Sequence, residues 1–152
     1  MMDPAMKVAS YQIRLDTNYD PIIAEVDGEP CIEFRLVETE ALARRFDAIR
    51  SAKGYIPMIP ATTESNFDQC GRYIIRAAFT KTRNGIRLEL WGEVFGSLSD
   101  DDGAMYQLMT PNIEDEKMLI SLISQQYEQA YSAPFDKLFE DNFVTNGNNL
   151  TI

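Results

Sequence analysis

Glu89 and Glu93 are the residues whose type and spacing come closest to chemistry. Both fall on one face of an alternating stretch, Arg72 to Gly96. Paired carboxylates can serve a glycosidase-like reaction or hold magnesium. The pattern also sets Arg76 opposite Glu93, and a cross-strand ion pair accounts for that carboxylate without catalysis. The rest of the inventory is restrictive. The 152 residues contain no histidine, which removes the commonest general base and the commonest metal ligand. Ser–His and Cys–His nucleophilic centres are excluded, as are zinc sites that need imidazole. Cys31 and Cys70 are the only cysteines; so far apart, they form no disulfide framework and read as small buried hydrophobes. No glycine-rich phosphate loop is present. Asp100-Asp101-Asp102-Gly103 fails as a calcium loop: with Gly103 at its sixth position, Leu98 falls first and Met109 twelfth, where oxygen donors are needed. The expectation is a protein that is not an enzyme and takes no cofactor and no metal.

The elements that would position these residues are legible from patterning. In Arg72 to Gly96, Asn84-Gly85 is a strong hairpin signal. With those two as the loop, Ile75 faces Val94, Ala77 faces Gly92 and Phe79 faces Leu90, while Arg76 faces Glu93. A one-residue slip would set Ile75 against Glu93, so the pattern resists it. Ile22 to Val26 and Cys31 to Val37 flank Asp27-Gly28-Glu29-Pro30 and predict a second hairpin. Its register is open: a two-residue loop pairs Ile23 with Ile32, a four-residue loop pairs it with Phe34. Pro30 belongs at a loop or edge. Residues 7–15, with Ala9, Tyr11, Ile13 and Leu15 alternating, predict an N-terminal strand.

Leu42, Ala43, Phe46 and Ile49 recur at helical spacing, which predicts a helix over Glu40 to Lys53 with Thr39 as N-cap and Gly54 closing it. Arg44, Arg45 and Arg50 read as a solvated, salt-bridged face. Tyr55 to Cys70 is a long connection and Ser97 to Asn112 a loop. A second helix opens at Thr110 or Asn112 and buries Met118, Leu119, Leu122, Ile123, Tyr127 and Ala130. A short third helix carries Phe135, Leu138, Phe139 and Phe143. These elements predict an α+β fold: an antiparallel sheet of about five strands, made of two hairpins plus an N-terminal strand, packed against two main helices and a short C-terminal one. The domain spans residues 7–144. Met1, Met2 and Met6 offer alternative starts that leave 1–6 outside the fold, and residues 145–152 read as a disordered tail.

Charge is unevenly spread. The net charge is −10, and Ser97 to Ile152 hold ten acidic residues against two lysines, so −8 of it lies there. Arg72, Arg76, Lys81, Arg83 and Arg87 concentrate positive charge on the central hairpin. This distribution points to a non-catalytic, acidic protein-binding module: an inhibitor, immunity, anti-defence or adaptor protein whose acidic third occupies a basic site on a partner protein, a nucleic-acid-binding site included. The candidate contacts are Asp100, Asp101, Asp102, Glu114, Asp115 and Glu116, with the apolar Tyr55, Met58, Ile59, Phe135 and Phe139. An alternative reading is an export-type chaperone or oligomeric scaffold, a homo-oligomer included, that uses apolar surface at Tyr55–Ile59 and Phe135–Phe143. A second alternative is nucleic-acid binding through Arg72, Arg76, Arg83, Arg87 and Trp91, which the overall negative charge disfavours. No apolar run approaches the ~18 residues of a membrane span, and a cytoplasmic location is expected.

Overall fold

The computed structural model describes residues 11–26, 28–58, 72–83, 85–95, 100–109 and 113–143. Five strands form one sheet: β1 (Ile22–Val26), β2 (Glu29–Leu36), β3 (Arg72–Thr82), β4 (Gly85–Phe95) and β5 (Met105–Met109). They lie side by side in chain order, each antiparallel to the next. Three helices complete the α+β fold: α1 (Glu40–Ser51), α2 (Ile113–Tyr131) and α3 (Phe135–Phe143). None of these helices is long and apolar enough to cross a membrane. The expectations for residues 1–6 and 145–152, those for Ile59 and Cys70, and the 7–10 part of the expected N-terminal strand lie outside the described residues.

Both hairpins form, and each settles its own register. In the first, Ile23 pairs with Ile32 and Val26 with Glu29, so the loop has two residues. Gly28 takes φ 83°, which that tight turn requires. The closing pair of such a hairpin is hydrogen bonded and the next is not. Pro30, opposite Glu25, therefore turns its nitrogen away from β1, at a level where the β2–β3 ladder has yet to begin at Cys31. The central hairpin corrects the expected register. Thr82 pairs with Gly85, Phe79 with Leu88, Ala77 with Leu90 and Ile75 with Gly92, a shift of two residues on β4. The turn moves one residue back, and Gly85 opens β4 at φ 118°. A slip of two leaves every side chain on its expected face, so hydrophobic patterning cannot tell the two registers apart.

The fifth strand also comes from a different place. Residues 11–15 make only a bridge between Leu15 and Leu36. Gln12 sits at φ 54°, which breaks the extended run. The segment is pinned from outside the sheet instead: Gln126 of α2 accepts from Leu15 N at 2.6 Å and donates to Ile13 O at 3.1 Å. Tyr11 and Ile13 are buried, so their alternation reports a cradle rather than a ladder. The other edge strand is β5, within the stretch expected to be a loop. A bulge opposite Leu90 and Trp91 brings Leu108 into the core.

All three helices contribute to the core on one face of the sheet. Phe34, Ile75, Ala77, Phe79, Leu88, Leu90 and Val94 meet Leu42, Ala43 and Phe46 of α1, Leu119, Ile123 and Tyr127 of α2, and Phe135 and Phe139 of α3. Phe135 stacks on Phe34 with centroids 5.7 Å apart, and Phe139 meets Phe79 edge-on at 5.5 Å. Gly92 leaves room for α1: a Cβ there would lie 2.7 Å from the Phe46 ring. Thr39 caps α1 as expected, accepting from Leu42 N at 3.3 Å. Two details differ from the expectation for α2, since Met118 is 54% exposed and Ala130 is exposed. The buried stripe runs instead through Glu116, Leu119, Ile123 and Tyr127.

Candidate functional site

The opposite face of the sheet lies away from the helix-packed core, and only Arg87 at its margin reaches a helix among the described residues, through Glu116 of α2. Its residues follow from strand alternation: Ile22 and Ala24 on β1, Cys31, Glu33 and Arg35 on β2, Ile74, Arg76, Ala78 and Thr80 on β3. Arg87, Glu89, Trp91, Glu93 and Phe95 on β4, with Met105 and Gln107 on β5, also lie on it, as does Glu29 at the start of β2. Ile22 (54% exposed), Phe95 (65%) and Met105 (48%) are open to solvent there. Small side chains are grouped at the middle of this face and taller ones stand around them. Glu33, Ala78 and Glu89 stand in one cross-strand row, and Arg35, Arg76, Trp91 and Gln107 in the next. Small Cys31, Ala78 and Thr80 thus floor a basin of about 280 Å³ walled by Glu33, Arg76, Glu89, Trp91 and Met105. A depression of about 100 Å³ shares Glu33 and Arg76 with it and extends to Tyr19, Asp20, Ile22 and Arg35. A third, about 370 Å³, shares Tyr19 and Arg35 and reaches Asp16, Glu38, Ile74 and Phe95 at the corner of the sheet.

The electrostatics of this trough favour a cation. Five acidic residues line it (Asp16, Asp20, Glu33, Glu38 and Glu89) against Arg35 and Arg76. Both arginines are engaged within the protein. Arg76 donates to Glu93 at 2.9 Å and lies 3.7 Å from Glu33, while Arg35 sits 4.0 Å over the Tyr19 ring. Trp91 Nε1 donates to Glu89 Oε1 at 3.1 Å, which holds that carboxylate beside the indole. The Cys31 thiol is pushed up from its ordinary value, first by burial and further by the charges of Glu33 and Glu89. Glu89 and Glu93 are four residues apart, ~13 Å by strand rise. That exceeds the roughly 5–10 Å of carboxylate pairs that cleave glycosides, and Trp91 stands between them. The Arg76–Glu93 ion pair forms as expected, although the Cα partner of Arg76 is Trp91.

Several residues expected at a partner surface are used internally. Asp101 is 5% exposed and Arg50 is 1% exposed, so Arg50 belongs to the interior rather than to a solvated basic face. Their pairing is bidentate, Nε to Oδ2 at 2.7 Å and Nη2 to Oδ1 at 2.8 Å. Arg50 Nη1 also donates to Ile56 O at 2.7 Å and to Tyr73 Oη at 3.3 Å, and the Tyr73 hydroxyl donates to Asp47 Oδ1 at 2.5 Å. The Tyr106 hydroxyl donates to Asp101 Oδ2 at 2.9 Å and Met58 N to Asp47 Oδ1 at 2.9 Å. This clasp fastens α1, β3, β5, the 55–58 segment and the 100–104 turn together. The Asp101 carboxylate raises the Arg50 pKa; burial, then Asp47, raises that of Tyr73. Burial and Asp101 push Tyr106 up to about 12. The sequence held a signal for it: Arg50 is four residues beyond Phe46 and seven beyond Ala43, within the apolar stripe of α1.

Glu116 is likewise occupied, accepting from Arg87 Nε at 2.9 Å and Leu88 N at 2.8 Å. Phe135 and Phe139 are docked in the core. Tyr55 is half-buried with Arg50 5.6 Å over its ring, and Met58 packs against the core. Asp100 and Asp102 are exposed, Asp115 is half-buried, and Glu114 lies in α2 with its side chain outside the described set. Of the expected nucleic-acid residues, Arg76 and Arg87 are ion-paired and Arg83 is exposed; the Arg72 side chain is outside the described set. Among the described residues no three metal-ligating side chains come together. No protein-family model matches this chain, and no curated protein or solved structure shows significant similarity to it.

Proposed function

We propose that this is a non-catalytic, acidic protein-binding module, of inhibitor or adaptor type, that engages a basic partner protein through the helix-free face of its sheet. The observation that carries the reading is the trough across that face, where carboxylates outnumber arginines that are already engaged. It moves the contact away from Asp101, Glu116, Phe135 and Phe139, whose side chains serve the fold. The exposed Ile22, Phe95 and Met105 at the margins supply apolar area around the charged centre. Cys31, a free thiol in the interior, suits the reducing cytoplasm in which we place the protein.

Site-specific photo-crosslinking tests this reading. A photoreactive phenylalanine at position 95 or 107 should capture one partner from host lysate, and one at position 130 on α2 should not. Capture should fade at roughly 1 M salt, where the Debye length is about 3 Å. Equal capture from both faces would overturn the assignment. A second reading is supported by the same exposed Ile22, Phe95 and Met105: a chaperone or scaffold that binds apolar surface. It predicts many captured products that persist at high salt.

A further inference from the structure

Within that face, and resting on the function just proposed, one position has the geometry of an anchor. Glu33 and Glu89 flank Ala78 in a single cross-strand row. Two strand spacings separate their backbones by ~10 Å, and the intervening side chain is a methyl group. The Trp91 indole stands one row away and is fixed by its bond to Glu89. Arg76, the only base lining this basin among the described residues, is paired with Glu93 at 2.9 Å and lies 3.7 Å from Glu33, so three carboxylates stand against one guanidinium. With the negative charge in excess and Glu33 and Glu89 facing each other across a floor of Cys31, Ala78 and Thr80, the complement of the site is a cation between them. We propose that the basin over Ala78 seats one arginine side chain of the basic partner, its guanidinium bridging Glu33 and Glu89 and stacking on Trp91.

The chemistry favours arginine. A planar guanidinium offers donors in opposite directions for two carboxylates and a flat face for an indole. Each carboxylate has about four acceptor positions, so Glu89 can hold the indole N–H and a guanidinium together. The Cys31 thiol beneath is raised chiefly by burial, and the charges of Glu33 and Glu89 add to that shift.

Trp91 is the only tryptophan, so its indole N–H gives a single NMR signal from the site. The probes are N-acetyl-arginine amide and its neutral isostere N-acetyl-citrulline amide, titrated into the full chain. The arginine compound should move the indole signal saturably and the citrulline compound should leave it in place. Glu89→Gln, which keeps an acceptor for the indole, should weaken binding about tenfold, as expected for a lost charge-assisted contact. Ala78→Leu should fill the floor and abolish the response, with melting temperature confirming that both variants fold; Asp141→Asn should change nothing. An equal response to citrulline, an unmoved indole signal, or an unchanged affinity in Glu89→Gln would overturn the anchor. Face-specific crosslinking could persist in any of those cases, so the anchor can fail while the broader reading stands.

Discussion

Arg50 exchanges its hydration shell for the Asp101 carboxylate, the Ile56 carbonyl and the Tyr73 hydroxyl. Removing one partner of such a pair strands the other charge in the interior. Arg50→Ala should therefore cost about 3–5 kcal/mol, and Arg50→Met with Asp101→Leu should recover much of it; urea unfolding curves would give both numbers. The hydroxyls of the same clasp set an alkaline limit. The folded pKa of Tyr106 is about 12 and that of Tyr73 is also raised, whereas an unfolded tyrosine titrates near 10. The folded state holds its phenolic protons longer, so this stability is complete below about pH 10 and is lost as pH rises through the folded values. Melting temperature should fall steeply above about pH 10, and Tyr106→Phe should flatten that fall. Little of this could be read at the residue scale beforehand. Arg50 lies within its helix stripe, but Asp101 lies 51 positions away in a run that looks solvated, and nothing local marks which aspartate of three turns inward.

Strands and helices were more legible than their neighbours. Alternation and turn residues defined four strands and the faces of the central hairpin, because a buried face penalises odd slips. An even slip carries no such penalty, which is why the two-residue shift on β4 had no signature. β5 was hidden for another reason: its Met-Tyr-Gln-Leu-Met run is short, and a bulge interrupts its alternation. Gly92 now has a clear role under Phe46, whose ring is itself packed on Tyr73 at 5.4 Å. Gly92→Ala should destabilise by about 1–3 kcal/mol through overpacking, and shortening the ring with Phe46→Leu should relieve part of that. Thermal unfolding of the single and double variants would show the coupling. α3 belongs to the core rather than to a surface, so Phe135→Ala should cost about 3–5 kcal/mol, read as a lower urea midpoint.

At the scale of the whole molecule, fold class was readable and the proposed contact face was not. Composition fixes how much charge there is, but only the sheet shows that the carboxylates of β2 and β4 converge while Asp101 and Glu116 turn inward. A net charge of −10 also makes copies repel one another. Near the isoelectric point of about 4.4 that repulsion vanishes, and the exposed Phe95 and Met105 become adhesive. Light scattering should rise near that pH, and Phe95→Ser with Met105→Ser should blunt the rise without lowering the melting temperature at neutral pH.

The strict chain-order meander of the sheet bears on how the protein is made. Each strand pairs with the one synthesised just before it, so on the ribosome every new strand meets a template already laid down, and the one long closure is that between β2 and β3, across residues 37–71. The exception is the seal. Phe34 and Phe79, buried against Phe135 and Phe139 in the finished fold, have no such cover until α3 is translated. A nascent chain paused before that helix would leave Phe34 and Phe79 without the Phe135 and Phe139 rings, and that patch of exposed apolar surface favours aggregation.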